Sequence, residues 1–161
     1  MVADSERGVA PDLFVLASPL LRPEEQVFEG MIEGWINQQR SRGLRASSIE
    51  PRVAMIRRLQ AFSNHIPWIR MPGEYEDWIA ELRTSRNLAL STLRSYQNAV
   101  SLFCDYVTDS RYRWIKVCEE RFGATPSQIV FEWNSVQHRN DYEGRPARRA
   151  LTINELQLLF D

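Results

Sequence analysis

Polar side chains suited to nucleic-acid contacts share one face of the segment 88–107, LALSTLRSYQNAVSLFCDYV, which contains neither Gly nor Pro. Read as a helix, this segment places apolar side chains from Leu93 to Val107 on the opposite face, at three- and four-residue steps. An ordinary solvated face favours Glu and Lys, whereas the early turns here offer hydroxyls, an amide and a guanidinium. The residues on this polar face are Ser91, Arg94, Ser95, Asn98 and Asp105.

These residue types predict contacts with phosphates and with base edges. Ser91 and Thr92 lie near a helix N-terminus, where free N–H groups already favour an anion. Arg94 suits guanine and Asn98 suits adenine, and the two are about one helical turn apart. A capped helix with an ordinary polar solvent face is the alternative that the residues alone leave open.

A second group of this kind occurs where the segment 45–62, RASSIEPRVAMIRRLQAF, begins. From Arg40 to Arg58 there are six arginines and a single acid, Glu50, although the net charge of the whole chain is only −1. A basic side is therefore concealed by overall neutrality. The predicted phosphate contacts at this helix start are Arg45, Ser47, Ser48 and Arg52. Arg57 and Arg58 fit either a contact or a solvated position.

Catalytic and metal chemistry find no support in the residues present. The only histidines are His65 and His138, and the carboxylates that crowd residues 24–33 have no His or Cys companions. Cys104 and Cys118 lack metal-ligand or CxxC spacing, so we expect two reduced, mostly buried thiols. We therefore predict no cofactor, no metal ion and no catalytic activity in this stretch of chain.

Four amphipathic helices with short links must position these groups, and no alternating strand pattern competes with them. They are predicted over residues 23–42, 47–66, 72–84 and 88–107. Gly43 ends the first, Ser47 or Ser48 caps the second, and Ser91 or a residue slightly earlier caps the fourth. The fold class predicted is all-α, with a compact four-helix bundle at its centre.

Two further short helices, over about 111–123 and 125–136, are predicted to extend the bundle. The five tryptophans are interpreted as core anchors rather than as base-stacking platforms. Phe62 is expected to point inward from the second helix. The helical domain with its extension thus covers 23–137.

The flanking segments differ in composition from this domain. Residues 1–22 contain Gly and Pro and are predicted to form a flexible arm, and the polar segment 138–150 reads as a linker. The linker arginines predicted to follow a nucleic-acid backbone are Arg139, Arg145, Arg148 and Arg149. A merely solubilising linker is the alternative. Residues 151–161 open another helix with a capping box, Thr152 and Glu155.

Composition is that of an ordinary globular protein, with 43% hydrophobic and 25% charged residues. No stretch approaches the ~20 apolar residues that a membrane span needs, and the N-terminus has no apolar run of signal-peptide type. We therefore expect a cytoplasmic protein that does not enter a membrane.

The ordered set of segments resembles the tyrosine recombinases, the family that includes the phage integrases. The resemblance rests on the Ser-Ser opening of RASSIEPRVAMIRRLQAF, the Ser-Thr opening of LALSTLRSYQNAVSLFCDYV and the Arg-rich passage into RRALTINELQLLFD. It covers roughly residues 24–161, as a core-binding domain followed by the first turns of a truncated catalytic domain from residue 151.

That resemblance implies a SAM-like bundle that clamps duplex DNA at a recombination core site, with self-association on DNA. The family's DNA-facing helices correspond to those beginning near Ser47 and Ser91, whose hydroxyls and guanidinium groups should line one concave surface. Its catalytic tyrosine and basic groups would lie beyond Asp161. Two departures are Arg52, where family members often carry an aromatic residue, and the long segment 111–136.

A different class of function fits the same chain. The aromatic-rich stretches RYRWIKVCEERF and IVFEW could expose an apolar patch for another protein. The alternative prediction is therefore an α-helical protein-interaction module.

Overall fold

The computed structural model describes residues 22–137, together with the single helical positions Ile153 and Gln157. Within 22–137 the α-helices are α1 (Pro23–Ser41), α2 (Ala46–Ser63), α3 (Pro72–Thr84), α4 (Leu90–Thr108) and α5 (Trp114–Phe122). Short 3-10 turns cover Ser110–Tyr112 and Glu132–Asn134, and this part of the chain contains no β-strand. The predicted all-α class and the four bundle helices are confirmed.

Three predicted segments lie outside the residues that the structure describes. They are the arm before Arg22, the linker 138–150 and, apart from Ile153 and Gln157, the segment 151–161. The SAM-like topology implied by the resemblance stays a prediction.

The ends of α1 and α3 follow from the residue types found there. Pro23 occupies the first turn of α1, and Gly43 follows the helix at φ +82°, a left-handed conformation that costs a residue without Cβ little. In α3, the Glu74 carboxylate accepts the Met71 backbone N–H at 2.6 Å, which satisfies a donor at the helix start.

The start of α2 differs from the predicted cap, and α4 is capped slightly before Ser91, as the prediction allowed. Arg45 is the N-cap of α2, with extended backbone and no side-chain capping bond, so Ser47 and Ser48 lie inside the first turn. Ala89 takes the corresponding place before α4. Backbone carbonyls close both first turns: the Arg45 carbonyl accepts from Ser48 N–H at 2.9 Å. Serine hydroxyls are therefore not used for capping.

The core lies where α4 packs between α1 and the other helices. Trp35 of α1 meets Phe103 of α4 edge-on, with ring centroids 5.3 Å apart. Tryptophans 35, 68, 78 and 114 are buried as predicted, but Trp133 is 77% exposed. Phe62 is also wrongly predicted, because it is 45% exposed at the end of α2.

The segment 124–137, called the clip below, contains no α-helix and only the 3-10 turn Glu132–Asn134, which corrects the second predicted short helix. The Gln97 side chain pairs with the Val136 backbone, accepting its N–H at 2.7 Å and donating to its carbonyl at 3.4 Å. Gln128 donates to the Ser101 carbonyl at 3.1 Å. Side-chain amides thus supply bonds that a helix would have made internally, and the clip buries Ile129 against the bundle.

Both thiols should react slowly while the protein is folded. Burial raises the pKa of Cys104 to about 11 and that of Cys118 to about 12. At pH 8 the reactive thiolate fraction would then be ~0.1% or less. Labelling with an aromatic disulfide reagent should be at least ~100-fold slower in buffer than in urea; equal rates would contradict the packing described.

Candidate nucleic-acid interface

Helices α2 and α4 pack side by side and run in opposite directions. Arg58 of α2 donates to the Tyr96 hydroxyl of α4 at 3.0 Å, with its guanidinium 6.0 Å from the ring centroid. Earlier in α2, Arg52 lines the same cavity as Leu102, which comes later in α4. Residue numbers therefore fall along one helix as they rise along the other.

This antiparallel packing places the two predicted serine clusters at opposite ends of one surface. Ser47 lies eleven residues before Arg58 in α2, and Ser91 lies five residues before Tyr96 in α4. Because Arg58 contacts Tyr96 and the helices are antiparallel, Ser47 and Ser91 are separated by sixteen residue steps of ~1.5 Å, or about 24 Å along the helix axes. The helix beginnings do not meet. What the packing joins is the outer side of α4 with the outer side of α2.

The outer side of α4 carries the residues singled out from the sequence. Ser91, Ser95 and Asn98 are exposed, and Arg94 and Thr92 are half-buried at its edges. Ser95 donates back to the Ser91 carbonyl at 3.3 Å. Among the described residues, Arg94 and Asn98 have no hydrogen-bond or ion-pair partner, so their donors are available to a ligand.

The outer side of α2 contributes Arg58 at its centre and Arg45, Ser47 and Ser48 at its beginning, all of them exposed. We call the outer sides of α2 and α4 together the α2–α4 face. It carries no acid between Ser91 and Leu102. The two exposed acids of these helices lie at its margins, because Glu50 lines a cavity toward α1 and Asp105 accepts from Gln128 at 2.8 Å.

Two arginines of α2 point toward α1 instead. Arg57 forms a bidentate pair with Glu29, at 2.6 and 2.9 Å, and this hydrogen bonding raises the Arg57 pKa. Arg52 donates to the Gln39 side-chain oxygen at 3.0 Å. The predicted contact Arg52 is therefore half-buried at one end of the face, away from Arg58.

The first turns of the four bundle helices differ in whether they contain acidic residues. The first turns of α1 and α3 contain acids, whereas those of α2 and α4 contain none and lack side-chain caps. Their first-turn N–H groups are therefore not satisfied by local side chains. Because the two helices are antiparallel, each end of the α2–α4 face carries one of these uncapped helix starts beside the C-terminal end of the other helix, whose dipole has the opposite sign.

Arg58 and Tyr96 form the central pair of the face: sequence reasoning left Arg58 undecided and expected Tyr96 within the apolar stripe of its helix, whereas the Tyr96 side chain is half-buried with its hydroxyl bonded to Arg58. Helical spacing could have indicated that Arg58 lies on the outer side of α2. It follows Pro51 by seven residues and Met55 by three, so the three residues share one helix face. Nothing in the spacing shows that Tyr96, on a neighbouring helix, would accept its hydrogen bond.

The four linker arginines, Arg139, Arg145, Arg148 and Arg149, lie outside the described residues. Within the described part of the chain, no cluster of three or more His, Cys, Asp or Glu residues could hold a metal ion. The helices found in that part are too short or too polar to cross a bilayer.

Comparison of the chain with protein-family models, with curated proteins and with solved structures gives no match. The relationship to the tyrosine recombinases therefore stays a prediction from residue patterns.

Proposed function

We propose that this chain binds duplex DNA through the α2–α4 face, as the core-site recognition domain of a site-specific recombinase of the tyrosine type. The observation that carries the proposal is the acid-free polar surface that α2 and α4 form around Arg58. The recombinase assignment rests on the order of sequence segments described above.

The side chains on this face divide by the chemistry that each suits. Arg58, the α4 serines and the uncapped helix ends fit phosphate oxygens, which position a protein on the duplex without reading its sequence. Arg94 and Asn98 have free donors and acceptors that fit base edges in a major groove. Sequence preference would therefore depend chiefly on α4.

Binding rather than catalysis fits the tyrosines in the core. Tyr75 is fully buried, and Tyr106 is buried with its hydroxyl accepting from the Trp114 indole at 3.0 Å. Burial raises the pKa of both hydroxyls, the reverse of what a nucleophile needs. In the proposed recombinase, cleavage of the DNA strand is assigned to a catalytic domain other than this helical domain.

A protein-interaction module is the second candidate, favoured by one observation. Trp133 stands 77% exposed on the clip and stacks on Phe131, with ring centroids 4.3 Å apart. Exposed aromatic side chains on a fixed frame are typical anchors of protein interfaces. Substituting Trp133 would then abolish capture of a partner and leave DNA affinity unchanged.

The proposal is tested by enriching bound duplexes from a randomised pool and measuring affinity by fluorescence anisotropy. Because Arg45, Arg58 and Arg94 can each neutralise a phosphate or approach one, log affinity should fall with log salt at a slope of about −3 or steeper. Arg94→Ala should weaken binding to the enriched site by ~1–3 kcal/mol and leave the helical circular dichroism unchanged.

Lys116→Ala, which removes one positive charge from α5, is the control and should change affinity less than twofold. Absence of enrichment and of binding at ~50 mM salt would refute the DNA proposal. Loss of helicity in Arg94→Ala would show a structural role for that residue.

A further inference from the structure

An open cavity of about 190 Å³ lies between the C-terminal end of α1, the first half of α2 and the second half of α4. Leu102, which follows Ser95 and Asn98 along the outer side of α4, lines it, so the cavity lies at one end of the α2–α4 face. Three arginines and two aspartates also line it: Arg42, Arg52, Arg111, Asp105 and Asp109.

Arg52 is held in this cavity by a neutral group. Its only partner among the described residues is the side-chain oxygen of Gln39, at 3.0 Å. Gln39 is 2% exposed, and its amide nitrogen donates to the Trp35 carbonyl at 3.4 Å. A guanidinium has five N–H donors, so this anchor fixes the side chain and leaves both its charge and most of its donors unused.

Both acids in the cavity are already engaged. Asp109 accepts the Arg111 backbone N–H at 2.9 Å and the Arg111 guanidinium at 2.6 Å, which holds the pKa of this carboxyl at about 2. Asp105 accepts the neutral Gln128 amide at 2.8 Å and so keeps its own negative charge. The Arg42 side chain, at the end of α1, has no hydrogen-bond or ion-pair partner among the described residues. Asp109 and Arg111 neutralise each other, so Arg42 and Arg52 together exceed the remaining acid, Asp105, by one positive charge.

We infer that this cavity binds one phosphate group, held by the guanidinium groups of Arg42 and Arg52, with Gln39 as the residue that positions Arg52. Planar guanidinium forks match the tetrahedral oxygens of phosphate. The inference rests on the proposed function in one respect: the phosphate is assigned to the backbone of a duplex lying along the α2–α4 face. It adds an anchoring point at the α1 side, beyond the helices that the sequence indicated.

Two measurements on the full chain test this, one without DNA. Inorganic phosphate is titrated against the protein at constant ionic strength, and the arginine side-chain Nε–H resonances are followed by NMR. The Arg52 resonance, assigned through Arg52→Lys, should shift and saturate with phosphate but not with chloride. The Arg57 resonance should stay in place, because Glu29 already occupies that guanidinium.

The second measurement is the salt dependence of duplex binding by Arg42→Ala, with Arg40→Ala as the matched control. Both variants remove one arginine from the end of α1, but Arg40 lines the cavity on the other side of α2. Arg42→Ala should weaken binding about fivefold to tenfold at ~50 mM salt and reduce the salt slope by about 1, whereas Arg40→Ala should change neither. The Arg42 side chain forms no hydrogen bond or ion pair with described residues that its removal would break, and unchanged helical circular dichroism is the check on folding.

The outcomes separate the two proposals. If the duplex binds but Arg42→Ala matches its control and phosphate shifts no arginine resonance, the cavity is not a phosphate site and DNA binding stands. If phosphate shifts Arg52 but no duplex binds, the cavity binds phosphate and the DNA function is wrong. A shift at Arg57 equal to that at Arg52 would show non-specific ion pairing and overturn the inference.

Discussion

Replacing Gly34 with alanine should lower the free energy of unfolding by about 2 kcal/mol. A β-carbon at this position of α1 would collide with the hydroxyl of Tyr106 on α4 and lie 3.2 Å from its Cζ. Relieving such an overpacked contact costs ~1–3 kcal/mol. In an exposed helix interior the same substitution would instead gain up to ~1 kcal/mol, so the sign of the effect reports the close approach of α1 and α4.

The Tyr106 hydroxyl cannot move aside freely, because it accepts the Trp114 indole N–H at 3.0 Å and the ring is buried. Tyr106→Phe removes the colliding atom but leaves that indole without its acceptor, at a cost of ~1–2 kcal/mol. The double variant Gly34→Ala/Tyr106→Phe should therefore lose less stability than the sum of the single variants.

Urea denaturation of the four chains in this cycle is the measurement. Gly73→Ala is the control, because nothing lies within 4 Å of a β-carbon there, and stability should stay the same or rise slightly. If Gly34→Ala behaves like Gly73→Ala, the helices approach each other less closely than described.

The neighbouring arginines Arg57 and Arg58 should differ sharply in DNA binding. Arg58→Ala is expected to weaken duplex binding at least tenfold, ~1.4 kcal/mol, because Arg58 lies at the centre of the α2–α4 face. Arg57→Ala should change affinity less than twofold, because Glu29 on α1 already neutralises that charge. The two variants have the same composition and the same net charge.

Anisotropy titrations at matched salt give the comparison, with chemical denaturation as the check on folding. The Arg57 and Glu29 side chains are 48% and 38% exposed, so water screens the pair and its loss should cost at most ~1 kcal/mol of stability. Equal losses of affinity in both variants would indicate that overall charge, rather than this face, governs binding.

Much of the helical framework was predictable from local chemistry. Pro23 and Gly43 bound α1, and the predicted range 72–84 is the α3 observed, because prolines, glycines and first-turn acids act within a few residues of themselves. The apolar stripe of α4 was predictable for the same reason. The N-caps of α2 and α4 are Arg45 and Ala89, each two residues before the first serine of its helix, because carbonyl–amide bonds close both first turns without side-chain help.

The assembly of the face was not predictable in the same way. Helical period indicates that Arg52, Arg57 and Arg58 differ in direction, but only tertiary packing decides which neighbour each one meets. Gln39 is an example, since a buried glutamine that holds Arg52 has no local sequence pattern. The helix predicted for the clip was wrong because its stabilising partners, Ser101 and Gln97, are 27 and 39 residues away along the chain from the clip residues that they bind.

Under the proposed function, the length of the polar strip on α4 limits how much DNA a single copy could read. The clip lies on one side of this helix and α2 on the other, and the strip from Ser91 to Leu102 spans eleven helical steps, ~16 Å, or about five base pairs of a duplex. A five-base-pair word recurs about once per thousand random positions, against the millions of competing sites in a genome. Addressing a unique chromosomal locus would therefore require several such strips aligned on successive turns of the double helix.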